Sequence, residues 1–164
     1  MATRADTRRE GSLRWARAQT GPRIVEFQGG GCFELNFSLM VSEPFLPLDG
    51  STAPEPVVLK DGARLIRGTH DIIVRHLPVR PGDEPARGKG RWKTAPRAPK
   101  SSDPASVKDS ADVIIEHVSA SGSPDETVAV TPSRRVTVQH CSSIAEPLVN
   151  PALHLENGVP ICHA

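Results

Sequence analysis

No tyrosine occurs in the 164-residue sequence, and only four Phe and two Trp are present, so aliphatic side chains must supply most of any core. The formal net charge of +1 argues against a protein that is basic overall and binds nucleic acid. Three cysteines (Cys32, Cys141 and Cys162) are too few and too scattered for a disulfide framework or a metal knuckle. We expect each to pack as an isolated, small apolar group.

Long apolar runs are also missing. No run approaches the roughly 18 apolar residues that a membrane helix needs, so we expect no membrane partner. Residues 1–10 are polar and basic and no apolar stretch follows them, so no secretory signal is expected in this sequence. We predict that 1–10 form a disordered N-terminus.

Turn-forming residues are abundant, with 13 Gly and 16 Pro. One short helix is predicted between Gly11 and Pro22, because Ser12 can cap its start and Gly21-Pro22 stops it. After it the helical periodicity disappears, and short β-rich runs follow, each bounded by Gly, Pro, Ser or Asp. These predicted strands are 24–27, 32–35, 39–41, 57–59, 65–66, 72–74, 113–115, 128–130 and 136–138.

Three segments share one pattern of a polar residue, three β-formers, a polar residue and a histidine: Asp71–His76, Asp112–His117 and Arg135–His140. The last two are offset by 23 residues (117 to 140) and the first two by 41 (76 to 117). A step in the low twenties, or nearly twice that, is typical of a solenoid whose coils each add a strand to the same sheet.

Equivalent residues of such coils stack one strand spacing apart, at about 4.8 Å. Leucine-rich repeats share the period but require Leu and Asn at fixed offsets that this chain lacks, whereas a parallel β-helix requires only inward aliphatic residues. The sequence therefore predicts a β-helix. Its expected ladders are Ile72/Val113/Val136 and Ile73/Ile114/Thr137, with His76, His117 and His140 as stacked structural groups.

Residues 80–100 interrupt the pattern. They carry seven Lys or Arg against two acids, with four Pro and three Gly, and Trp92 is their only large apolar residue. This composition predicts a loop that leaves the solenoid. A solvated loop and a contact with a polyanion are both open interpretations.

The short motifs around the repeats resemble those of bacterial and fungal pectate lyases in order and spacing, over roughly residues 10–150. They are Gly-Ser-Leu-Arg-Trp-Ala at 11–16, Gly-Pro-Arg-Ile-Val-Glu-Phe at 21–27, Thr-Ala-Pro at 52–54, and the stretches 69–83, 112–121, 125–126 and 136–141. The resemblance implies an all-β fold, the N-terminal part of a right-handed parallel β-helix with a short N-terminal capping helix. We expect this incomplete β-helix at 11–150, with the basic loop at 80–100 and an irregular tail at 151–164.

The resemblance also implies secretion and a chemistry, calcium-assisted β-elimination on polygalacturonate or pectin. A divalent cation relieves the charge that builds up on the uronate, and an arginine of the family removes the proton. Four acids match the family's acidic positions and are the candidate calcium neighbours: Asp83, Asp103, Asp125 and Glu126. Glu116 stands where the family usually has Asp before His.

Departures from the family pattern favour a second interpretation. Gly122 replaces a common aromatic residue, and the family's catalytic arginine belongs to coils beyond those present, so we expect no catalysis from the isolated chain. The alternative is a truncated or diverged, non-catalytic β-helix that at most binds acidic glycans. Its open end would favour self-association.

Overall fold

The N-terminal helix is short and capped as expected. In the computed structural model, which describes residues 8–35, 38–60, 64–80, 105–121 and 128–144 and the backbone of 154–155, helix α1 spans Leu13–Arg17. The backbone N–H of Trp15 donates to the Ser12 hydroxyl at 3.1 Å. This confirms the predicted N-cap.

Apart from α1, the regular structure of the described residues is almost entirely strand. A single 3-10 turn at Gly50–Thr52 interrupts it. In chain order the strands are β1 Val25–Glu26, β2 Gly31–Glu34, β3 Leu39–Val41, β4 Leu46–Asp49, β5 Val57–Lys60, β6 Arg64–Arg67, β7 His70–Arg75, β8 Val79–Arg80, β9 Ala105–Lys108, β10 Ala111–Glu116, β11 Ser119–Ser121, β12 Val128–Val130, β13 Arg134–Gln139, β14 Ser142–Ile144 and β15 His154–Leu155.

These strands form three parallel sheets of five strands each. The first sheet has the order β1-β4-β7-β10-β13, the second β2-β5-β8-β11-β14 and the third β3-β6-β9-β12-β15. Every third strand thus returns to the same sheet, and each set of three consecutive strands makes one coil. The five coils confirm the predicted all-β, parallel β-helix fold.

The register of the first sheet matches the predicted ladders. Val113 lies opposite both Ile72 and Val136, and Ile114 lies opposite both Ile73 and Thr137. Side chains alternate between the two faces of a strand, so one ladder points inward and the next outward. Ile72 and Val113 are fully buried, whereas Ile73 and Ile114 are half-buried.

One aliphatic core runs along the axis of the solenoid. Leu, Val and Ile side chains from all three sheets fill it, and helix α1 covers it through Leu13 and Ala16. Its fully buried side chains include Leu39, Leu46, Leu59, Ile72, Leu77, Val79, Val107 and Val113. The expected dominance of aliphatic residues is confirmed.

Two cysteines fall within the described residues, and both are free thiols. Cys141 packs against the core, as expected. Cys32 is exposed, so the expectation of a packed thiol was wrong there, because its position on β2 alternates with the inward-facing residues. Cys162 lies outside the described residues.

The predicted tail at 151–164 and the predicted loop at 80–100 are described only in part, and their boundaries stay predictions. The tail predicted at 151–164 contains β15, which pairs with Ala129 and Val130. In the loop predicted at 80–100, Arg80 is the last residue of β8 and the remainder lies outside the described residues. No helix of the described part is long and apolar enough to cross a membrane.

Candidate functional site

The corner between the second and third sheets is where the candidate calcium neighbours belong in the chain. In coil three β8 ends at Arg80 and β9 begins at Ala105, and in coil four β11 ends at Ser121 and β12 begins at Val128. Val79 pairs with Ala120, and Ala105 pairs with Val128. The two connections therefore leave and re-enter the solenoid at neighbouring strand ends.

All four candidate acids fall in these two connections. Asp83 and Asp103 are in the first and Asp125 and Glu126 in the second, and all four lie outside the described residues. Along the chain, Asp103 precedes Ala105 by two residues and Glu126 precedes Val128 by two. Their roles as calcium ligands stay predictions.

Arg80 is held rigidly at this corner. Its Nη1 donates to the carbonyl oxygens of Val79 and Ser119, both at 2.9 Å, and its Nη2 donates to the Ser119 hydroxyl at 3.0 Å. Since Ser119 is in coil four, the side chain joins two coils. Arg80 is half-buried, and its in-register neighbour is Lys60 of coil two.

A ladder of polar residues on successive coils lies at the corner between the first and second sheets. Arg75 donates to the buried carboxylate of Asp49 through Nε at 2.8 Å, and its Nη2 lies 2.7 Å from the same oxygen. Burial alone would raise the pKa of Asp49, but hydrogen bonds from Ser51 and Arg75 outweigh it and lower the pKa below its usual range. Asp49 is therefore held as a carboxylate.

Glu116 continues this ladder rather than facing a separate site. It accepts a hydrogen bond from Gln139 Nε2 at 2.8 Å, and its other oxygen is 3.8 Å from Arg75 Nη1. The four residues Asp49, Arg75, Glu116 and Gln139 are in register on successive coils. Glu116 therefore stabilises the stacking of coils.

The three histidines of the repeats stack beside this ladder. Ring centroids are 4.7 Å apart for His76 and His117 and 4.9 Å for His117 and His140, with interplanar angles of 8° and 20°. All three residues have a left-handed backbone, with φ between 50° and 52°. The predicted stack is confirmed.

A Cβ at Gly50 would collide with the carbonyl of His76, so the corner also requires glycine there.

The outer face of the first sheet carries a groove of about 1040 Å³. Its aliphatic floor follows successive coils and includes Ile24, which is 67% exposed. Along one rim Arg135 donates to both oxygens of Asp112. The groove is also lined by Arg23 and by two further acids, Glu26 and Asp71, so its acids outnumber its cations and it is a poor site for an acidic polymer.

Comparison with known proteins finds relatives that share one name. The chain is 33% identical over 141 residues to a "Probable pectate lyase C" of Aspergillus flavus and to one of Aspergillus oryzae, and 31% identical over 141 residues to one of Emericella nidulans. Each alignment covers 85% of this chain and 30% of the relative, so the chain spans about 30% of the length of the relatives it matches. No family model matches the chain.

Over the matched residues the chain is a pectate lyase-like parallel β-helix. The sequence resemblance and the three parallel sheets agree with each other, since a pectate lyase-like β-helix was predicted from the motifs. In this pectate lyase-like chain, no group of three or more His, Cys, Asp or Glu is arranged to hold a metal ion within the described residues.

Sequence reasoning missed Arg80 as an ordered side chain. It was counted among the cations of the 80–100 loop, whereas it ends a strand of this pectate lyase-like solenoid and is bonded to the next coil. One signal could have found it. If a strand is assumed at Val79, the Val79 side chain points into the core. The next residue, Arg80, then points outward at the end of that strand.

Proposed function

We propose that this chain carries the calcium-binding part of a pectate lyase-like polysaccharide lyase, which cleaves polygalacturonate or pectin by β-elimination. The observation that carries the proposal is the pairing of strand ends at one corner. Ala105 lies beside Val128, and the chain brings an acid to within two residues of each. These strand ends are about one strand spacing, 4.8 Å, apart, so acids that precede them in coils three and four would reach the same corner.

Calcium suits this set of residues chemically. It is a hard cation that takes about six to eight oxygen ligands, and it accepts carboxylates together with water. Asp83, Asp103, Asp125 and Glu126 would supply carboxylate oxygens, and a uronate of the substrate would complete the coordination. When bound, the ion would act as a Lewis acid on that uronate.

The reaction explains why such a cation is needed. Removal of the proton next to a uronate carboxylate leaves negative charge that spreads onto that carboxylate. A nearby cation stabilises this charge, and the glycosidic oxygen then leaves from the neighbouring carbon. A polymer substrate of this kind implies that the protein acts outside the cell, which we include in the proposal.

A non-catalytic role in binding acidic glycans is the second candidate. It is favoured by the state of two described arginines, because Arg75 and Arg135 are each ion-paired with an aspartate. A guanidinium that is fixed in an ion pair is a poor base, since loss of its proton would forfeit the pair. The described residues of the first sheet therefore favour structural roles for these arginines.

An assay of product formation separates the two functions. Polygalacturonate is incubated with the 164-residue protein and calcium, and ultraviolet absorbance reports the unsaturated product of β-elimination. An increase in absorbance that a chelator abolishes would show lyase activity and would overturn the expectation that the isolated chain does not catalyse. Sedimentation of the protein with the polymer is measured in parallel. Binding without any product would support the non-catalytic role, and neither binding nor product would contradict both.

A further inference from the structure

The guanidinium of Arg80 has one edge left for a ligand. A guanidinium has five N–H donors in a fixed, planar arrangement. Three of the Arg80 donors are used, two on Nη1 and one on Nη2. Both Ser119 acceptors belong to a single residue, so they occupy the Nη1–Nη2 edge. The donors that have no acceptor among the described residues are Nε–H and the second Nη2–H.

These two donors point the same way, along the Nε–Nη2 edge. Two parallel N–H groups on such an edge match the two oxygens of a carboxylate, which is the bidentate geometry that arginine forms most strongly. Val79, the preceding residue, is fully buried, so the Arg80 side chain starts from the outer face of the second sheet. The free edge is held in place because the opposite edge is bonded to coil four.

The neighbouring charges favour an anion here. Lys60 lies directly beside Arg80 in the sheet, about one strand spacing away. Its ion pair with Glu34 is long, at 3.9 Å, and both side chains are substantially exposed. Leu59, the preceding residue, is fully buried, so the Lys60 side chain starts from the outer face of the sheet. Two adjacent cations therefore face outward at the strand ends.

We propose that Arg80 binds a uronate carboxylate of the polysaccharide through its Nε–Nη2 edge. This deepens the proposed function, on which it rests for the identity of the polymer, because it names a residue that recognises the acid group. Ser119 acts as the positioning residue, since it fixes the guanidinium so that the free edge faces outward.

The test measures binding of polygalacturonate by the 164-residue protein, with EDTA present so that neither calcium nor turnover contributes. Arg80→Gln should weaken binding roughly tenfold or more, because it removes a bidentate, charge-assisted contact. Arg80→Lys should restore only part of the affinity, since an ammonium group cannot supply two parallel donors. Binding is compared at a temperature at which circular dichroism shows every variant to be folded.

Arg67→Gln is the matched control. Arg67 also ends a strand, is exposed, and has a lysine, Lys108, as its in-register neighbour. The Arg67→Gln variant should bind polygalacturonate with an affinity within about twofold of that of the unmodified protein, because a single exposed charge contributes little. Ser119→Ala keeps the Arg80 cation but removes one of its anchors, and should weaken binding severalfold.

Competing polymers identify the ligand. Neutral galactan should not displace polygalacturonate, and dextran sulfate should displace it less well than free polygalacturonate does. The inference is overturned if the unmodified protein does not bind polygalacturonate, if Arg80→Gln matches Arg67→Gln, if Arg80→Lys binds like the unmodified protein, or if dextran sulfate competes equally. A failure to form unsaturated product would leave this binding result intact, so the two proposals fail separately.

Discussion

The guanidinium of Arg135 donates two hydrogen bonds to the carboxylate of Asp112, one coil away, at 2.5 and 2.6 Å. Both residues have a left-handed backbone, with φ of 52° and 54°. Left-handed conformations are costly for most side chains, and Asp tolerates them better than Arg does. The ion pair therefore helps to hold the coil boundary where its backbone is strained.

The Asp112–Arg135 pair predicts a pH dependence of stability. The hydrogen bond from Arg135 lowers the pKa of Asp112, so its contribution is present above the unfolded pKa of about 3.9 and is lost as the pH falls through the folded value. Asp112→Asn should lower the thermal midpoint at pH 7, and this deficit should shrink below about pH 4. Asp71→Asn, at the equivalent position of coil three, is the control and should show a smaller deficit. An equal deficit at every pH would contradict the assignment.

Asp49 should contribute more to stability than an exposed acid at the equivalent position of the preceding coil. Its side chain is 7% exposed and bonds to Ser51 and Arg75. Asp49→Asn leaves part of this buried network unsatisfied and should lower the free energy of unfolding by about 1–3 kcal/mol in urea denaturation. Glu26→Gln, whose exposed side chain is in register with Asp49, should change it by less than about 0.5 kcal/mol. Similar losses for both variants would show that the ladder is not stabilising.

The alternation of inward-facing and outward-facing side chains along β7 can be tested with two adjacent isoleucines. Ile72 is fully buried in the core, whereas Ile73 lies on the outer face and lines the groove. Ile72→Ala should cost about 2–5 kcal/mol of unfolding free energy because it leaves a cavity. Ile73→Ala should cost clearly less. A reversed order in chemical denaturation would mean that the register is shifted by one residue.

His117 should be replaceable only by residues that accept a left-handed backbone. Its φ is 50°, and its ring lies between those of His76 and His140. His117→Val should lower the free energy of unfolding by about 1–3 kcal/mol, since β-branched residues are disfavoured there. His117→Asn loses the ring but keeps the backbone geometry, so it should be less destabilising. If His117→Asn has the lower free energy of unfolding of the two variants, the loss of ring stacking outweighs backbone strain.

Much of the fold could be predicted because its core residues repeat. The ladder of Ile72, Val113 and Val136 could be read from three β-formers before each histidine, and the register confirms it. Strands β4, β8, β9, β11, β14 and β15 were missed. Strand β8 is only two residues long, and the other five contain Pro, Ala, Ser or His instead of β-branched runs, as in Ser119–Ser121. All six form because neighbouring coils supply the backbone partners.

The candidate site was less predictable than the scaffold. Contacts such as that of Arg80 with Ser119 join residues 39 apart in sequence, and no local pattern specifies them. The same holds for the pair of Arg75 and Asp49, 26 residues apart. Side chains at strand ends acquire their partners from the number of residues in each coil, which is known only once the register is fixed.

Calcium binding at the second-to-third-sheet corner tests the central claim most directly. Calcium is titrated calorimetrically into the protein in the presence of polygalacturonate, with Asp103→Asn and Glu126→Gln as variants and Asp109→Asn as a control from an exposed, different corner. The account predicts saturable binding that each of the two variants weakens roughly tenfold and that the control preserves, because carboxylate count sets calcium affinity. The absence of saturable calcium binding, or equal binding by all three variants, would contradict it.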